Sequence, residues 1–170
     1  MSSKFILRAL VASLAFSLPA AARQDTQFTP LSFLFGTWSA ATAASGATGA
    51  TALGDYTFRP DLKGKVITRT GSLDACKGPQ GFDCDHHDML TIYPENGALH
   101  AIYFDNEGHT IHYDIATPDA NTAVFLSNTP GPQFRLIYHL EGKVMTGKFQ
   151  FAPPGSKDFT SYLEWSGARK

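Results

Sequence analysis

Turn-forming residues cut the chain from Thr37 to Trp165 into short runs, and none of these is long or regular enough to make an amphipathic helix. The middle of the chain shows this most clearly. Residues 88–93, 98–104 and 109–115 are apolar-rich runs separated by Pro94-Glu95-Asn96-Gly97 and Asp105-Asn106-Glu107-Gly108, both read as hairpin turns. Similar runs at 55–59, 65–70, 122–127, 133–140, 144–151 and 159–166, with a first strand around Trp38, bring the total to about ten strands. Closing such a series removes its exposed edges. The expectation is an all-β chain, a single antiparallel up-and-down β-barrel of about 8–10 strands, with a short helical turn over 30–35 before strand one. The Ala/Ser/Gly/Thr-rich stretch that runs on to Gly54 completes strand one and then forms a mobile loop. No internal repeat points to a propeller or solenoid.

Residues 1–22 read as a secretory signal: Lys4 and Arg8 are followed by an apolar stretch over 9–18 and by Ala20-Ala21-Ala22, which satisfies the small-x-small cleavage rule. Cleavage leaves 23–170 as one barrel domain, about 150 residues and enough for a sizeable core, in the periplasm or outside the cell. With 14 Lys+Arg against 15 Asp+Glu there is no basic excess to attract phosphates, so nucleic acid is not an expected partner. No second apolar run reaches the roughly 20 residues a membrane helix needs, so the mature chain is expected to have no membrane span. Cys76 and Cys84 flank a turn-rich segment, Lys77-Gly78-Pro79-Gln80-Gly81-Phe82-Asp83, that brings them within reach of a disulfide in an oxidising compartment. The competing metal site, built with Asp85-His86-His87-Asp88, matches no zinc spacing, and no metal is assigned.

Ahead of the first strand stands Leu31-Ser32-Phe33-Leu34-Phe35-Gly36-Thr37-Trp38. Gly36 permits a close approach where a Cβ would intrude, and the Trp38 indole is large enough to plug one end of a closed sheet. This string resembles the opening of nitrobindin-like and related lipocalin-like proteins of the calycin group. The resemblance implies a barrel of eight to ten strands around an apolar cavity that holds a small hydrophobic ligand. It also implies a basic residue near the chain end lying over the tryptophan, for which Arg169 is the counterpart. Nitrobindins hold haem through a late histidine. Here the late histidine is His139, which shares strand parity with Arg135 rather than with Leu136, Tyr138 and Leu140, so alternation points it outward. The segment after Trp38 also departs from the nitrobindin pattern, and no cofactor is expected.

Treating the three central strands as successive hairpins sorts their side chains into two faces. One carries His87, Met89, Thr91, Tyr93, His100, Ile102, Phe104, His109, Ile111, Tyr113 and Ile115. The other carries His86, Asp88, Leu90, Ile92, Leu99, Ala101, Tyr103, Thr110, His112 and Asp114. The first set is the more aromatic and mixes in a few polar groups, as a ligand cavity does, and is assigned inward. Its ligand-binding candidates are His87, Met89, Tyr93, His100, Ile102, Phe104, His109 and Tyr113, with His87, Phe104 and His109 in one row across adjacent strands. Met145, Phe149 and Phe151, with Phe159, Leu163 and Trp165, are read as barrel lining from their period of two.

Three functional readings follow. The leading one is an exported barrel that binds a small hydrophobic molecule. The second is a cofactor-independent isomerase or hydrolase in which His100 works as acid or base beside Tyr93 or Tyr113. The third is a packed envelope module with no ligand. No nucleophile motif or phosphate loop is present to support other chemistry.

Overall fold

The computed structural model describes residues 26–42 and 49–170. The expected signal segment and part of the Ala/Ser/Gly/Thr stretch lie outside the described residues. A 3₁₀ helix, Thr26–Leu34, leads into ten strands: β1 Gly36–Thr42, β2 Thr51–Asp61, β3 Val66–Lys77, β4 Asp88–Glu95, β5 Ala98–Asp105, β6 Thr110–Asp119, β7 Thr122–Ser127, β8 Gln133–Glu141, β9 Val144–Ala152 and β10 Thr160–Ala168. Each strand pairs antiparallel with the next, and β1 closes on β10, so the sheet is a complete up-and-down barrel. This is the architecture the calycin resemblance implies. Thr51 to Gly54 already belong to β2 rather than to a loop.

Short turns gather at the end where the 3₁₀ helix sits. Asn96 and Gly97 both have positive φ (50° and 79°) and join Glu95 to Ala98, the two-residue hairpin whose twist suits the flanking strands. The helix seals that end by burying Phe28, Leu31 and Leu34. Trp38 stands just above it, 1% exposed, and its indole N–H donates to the Leu34 carbonyl at 2.8 Å. The Arg169 guanidinium stacks over the Trp38 ring at 4.4 Å and donates to the Phe33 and Phe35 carbonyls. Gly36 has φ +108°, and a Cβ there would stand 3.3 Å from Arg169 Nη1, so the Gly-Thr-Trp opening works as its residue types demand. The seam between β1 and β10 is short: Ala41 faces Ser166, Thr42 faces Trp165, and a bridge joins Trp38 to Arg169.

The interior is largely aromatic. Tyr56, Phe58, Phe125, Tyr138 and Trp165 meet edge-on or tilted, with centroid separations from 5.2 to 6.5 Å. Ile67, Leu90, Ile92, Ala101, Ala123 and Met145 fill the space between these rings and the wall.

One correction concerns the central faces. Leu90, Ile92 and Ala101 are buried, Met89 and Phe104 are 42% and 40% exposed, and the inward side of β4 and β5 is therefore the opposite of the one expected. On β6 the expected parity holds, with Ile111 and Tyr113 buried. The cause lies in the turn. Phe104 pairs with Met89 rather than with His87, which leaves the relative parity of β4 and β5 as expected, but on the other side Phe104 pairs with Thr110, leaving a five-residue connection from Asp105 to His109. The Asp105 carboxylate organises it by accepting from the Glu107 and His109 amides. A one-residue change in register moves a whole strand to the other face.

Candidate functional site

The residues singled out from the sequence do not come together. His87 lies just before β4 and is mostly exposed, its amide bonded to the Asn106 side chain and its ring 3.5 Å from Asp85. His109 is bonded through Nδ1 to Asp105 at 2.9 Å, within the turn, and forms no row with His87 and Phe104. Tyr93, His100 and Ile102 share the outer face with Met89 and Phe104. His100 bonds Asp114 at 2.9 Å and its ring lies beside Tyr93, whereas Tyr113 is inside the barrel, so the two tyrosines named as its partners are on opposite sides of the wall. His139 faces out as alternation requires, bonded to the Thr122 hydroxyl at 2.8 Å. Cys76 and Cys84 form a disulfide, which fits an oxidising compartment. No helix among the described residues is long and apolar enough to cross a membrane.

The chemistry inside the barrel comes from other residues. Arg69 on β3 points inward between Phe58 and Leu90, its cross-strand neighbours, and its Nη1 donates to both oxygens of Asp88 at 2.6 Å. Both side chains are largely buried, 12% and 15% exposed. Burial works against the Arg69 charge, but the adjacent carboxylate outweighs it and holds the guanidinium above its ordinary pKa. Four tyrosines surround the pair. Burial pushes the Tyr56 phenol up to about 12, partly opposed by the nearby Trp165 N–H and the Arg69 charge. Tyr113 and Tyr138 are raised by burial as well, and Tyr103 by burial and then by the Asp88 and Asp105 charges. All four phenols are therefore neutral hydroxyls near neutral pH.

Beside the ion pair lie four buried polar atoms without a hydrogen-bond partner: Tyr56 Oη, Arg69 Nε, Tyr138 Oη and Trp165 Nε1. The Tyr56, Tyr138 and Trp165 rings meet one another at 5.7 to 6.5 Å, and Arg69 lies over the Tyr56 ring at 5.5 Å. The indole lies against Gly147, where an added Cβ would fall 2.0 Å from the ring. Leaving a buried donor unpaired costs about 1–3 kcal/mol each, so a cluster of four is a site at which a hydrogen-bonding partner gains unusually much.

Beyond this cluster, away from the 3₁₀ helix, the inward side chains are aromatic and less fully covered. Phe134 stacks on Phe149 at 5.7 Å, Phe151 and Tyr162 lean against that pair, and Phe149, Leu163 and Trp165 are only half-buried. At the rim, His86 bonds Glu107 through Nδ1 at 2.9 Å and meets the Tyr103 hydroxyl through Nε2 at 3.1 Å, while that hydroxyl donates to Asp105. Burial opposes the Asp105 charge, but the His109 amide and imidazole overcome it and hold the carboxyl below its ordinary range. Asp83, His86 and Glu107 each bring a possible metal-ligand atom within 4.8 Å of the other two.

No family model matches the chain, and none of the curated proteins matches it. The site is thus read from its own geometry. Two signals in the sequence point to it. Arg69 has the parity of buried Ile67, and Gly147 sits in the middle of a strand, where a glycine marks a close approach. Of the lining expected from Met145, Phe149, Phe151, Phe159, Leu163 and Trp165, Met145 is fully buried, Phe149 and Trp165 pack against the core and Leu163 stands opposite Phe149, whereas Phe151 is exposed and the Phe159 ring lies against the Arg135 guanidinium at 4.0 Å.

Proposed function

We propose that this chain is a binding protein for a small, mainly apolar molecule, admitted at the barrel end opposite the 3₁₀ helix. The observation that carries the reading is the change in the inward face along the barrel axis: aliphatic and aromatic side chains are wholly buried near Trp38, whereas Phe149, Leu163 and Trp165 are half-buried towards the other end. An aromatic entrance above a floor with unpartnered hydrogen-bonding groups is the usual composition of a ligand site. Membership of the lipocalin-like calycin group is part of the proposal. The Gly36-Thr37-Trp38 opening, the Arg169 guanidinium over Trp38 and the sequential order of the strands support it. Export by residues 1–22 completes the reading, and the Cys76–Cys84 disulfide is in keeping with it.

An apolar fluorescent dye tests the proposal. Saturable binding of one dye per chain is expected, with a change in tryptophan emission that is lost in Trp165→Phe, because Trp38 is sealed at the opposite end. A dye that fails to bind, or that changes only Trp38 emission, contradicts it. That result would favour the second reading, a packed module without a ligand, which draws its support from the filled half of the barrel around Phe28, Trp38 and Phe58.

A further inference from the structure

We infer that Tyr56, Arg69, Tyr138 and Trp165 form a head-group subsite for a neutral carbonyl oxygen, an inference that rests on the binding reading above. None of the four atoms makes a well-formed hydrogen bond, the nearest approach being that of the Trp165 N–H to Tyr56 Oη, and they share one property. The indole N–H and the guanidinium Nε–H only donate, and both phenols keep their protons, so each atom offers a hydrogen that lacks an acceptor. A ligand group that satisfies them must accept, which favours an oxygen with two lone pairs over an amine or an alkyl end. The charge balance narrows the class further. Arg69 is matched by Asp88, whose oxygens both lie at 2.6 Å from Nη1, so the cluster holds no spare positive charge. An anion brought into this aromatic surround would lose its hydration without gaining a counter-ion, and would also face the Asp88 carboxylate. A ketone, ester or amide carbonyl can meet two of the donors without that loss.

The route to the subsite runs past Trp165. Its ring is half-buried while its Nε1 is buried against Tyr56 and Tyr138. The indole rests on Gly147 with no Cβ beneath it, and rotation of this one side chain is the movement the proposal requires to open the phenols towards Phe134 and Phe149.

The test uses the full chain with its disulfide intact and competes methyl decyl ketone, dodecane and dodecanoate against the bound apolar dye. The ketone should displace the dye at roughly tenfold lower concentration than dodecane or dodecanoate, the worth of one or two hydrogen bonds made in a buried site. In the double variant Tyr56→Phe/Tyr138→Phe the ratio of dodecane to ketone displacement, each referred to the variant's own dye affinity, should fall several-fold towards one. That variant deletes only two oxygens that have no partner, so it should fold at least as well as the parent, which a thermal melt checks. Equal competition by ketone and alkane, with the dye still bound, overturns the subsite and leaves the binding reading standing. Preferred binding of dodecanoate also overturns it, in favour of an anion site. Failure of the dye itself to bind removes both.

Discussion

The two ends of this barrel are built from the same residue types and do different things with them. At the 3₁₀-helix end, a tryptophan and an arginine satisfy each other and the backbone: Trp38 donates to Leu34, and Arg169 covers the indole and caps two carbonyls. In the other half, Trp165 and Arg69 each keep a buried N–H without a partner. Trp38 is wholly buried under Arg169, whereas Trp165 is half-buried and is linked to Arg69 through the Tyr56 ring, so composition alone does not separate a structural seal from an interior with unused hydrogen-bonding groups. The separation comes from whether the hydrogen-bonding capacity is used up.

The largest expected effect tests the sealed end. Trp38→Ala should lower stability by about 3–5 kcal/mol, the range for emptying a large buried aromatic site, and should leave dye affinity intact in the folded fraction. A midpoint of chemical denaturation that barely moves would show that Trp38 is not the plug. Next comes the ion pair of the other half. Asp88→Asn strands the Arg69 charge and should cost about 3 kcal/mol, with Arg69→Met/Asp88→Leu recovering part of the loss. If the single and double variants melt alike, the pair is not coupled as the geometry implies. Reducing the Cys76–Cys84 bridge should cost about 2 kcal/mol through the freed loop, measured as the shift in denaturant midpoint with reductant. Smallest of all, Met89→Thr on the outer face should stay within about 0.5 kcal/mol. A cost of several times that would restore Met89 to the interior and reverse the inward face of β4.

The architecture was legible in the sequence because its signals are local. Asn96-Gly97 forces a tight hairpin whatever surrounds it, and Gly36 with Trp38 marks the entry to β1. The central faces were not legible from local pattern, since β4 and β5 carry apolar side chains on both sides. Met89, Tyr93, Ile102 and Phe104 compete with Leu90, Ile92, Ala101 and Tyr103, and counting aromatic rings favours the set that the barrel leaves outside. What decides between them is one carboxylate, Asp105, which folds five residues rather than four into the turn. The Arg69–Asp88 pair is hidden for a related reason. Charged residues read as solvent-facing until a partner three-dimensionally close but 19 positions away in the chain is known.

The brevity of the contact between β1 and β10 has a kinetic consequence. Nine of the ten strand pairings join neighbours in the chain, and only the seam joins its distant parts. Folding can therefore zip up by successive hairpins and meet one large closure entropy, at the step that brings Ala41 and Thr42 to Trp165 and Ser166. The join made last with so few rungs is also the easiest to open in the native state, so the amides of β1 and β10 there should exchange with solvent before those of β4 through β9. Trp165 belongs to that join, so fraying of the seam would loosen the strand that carries the indole.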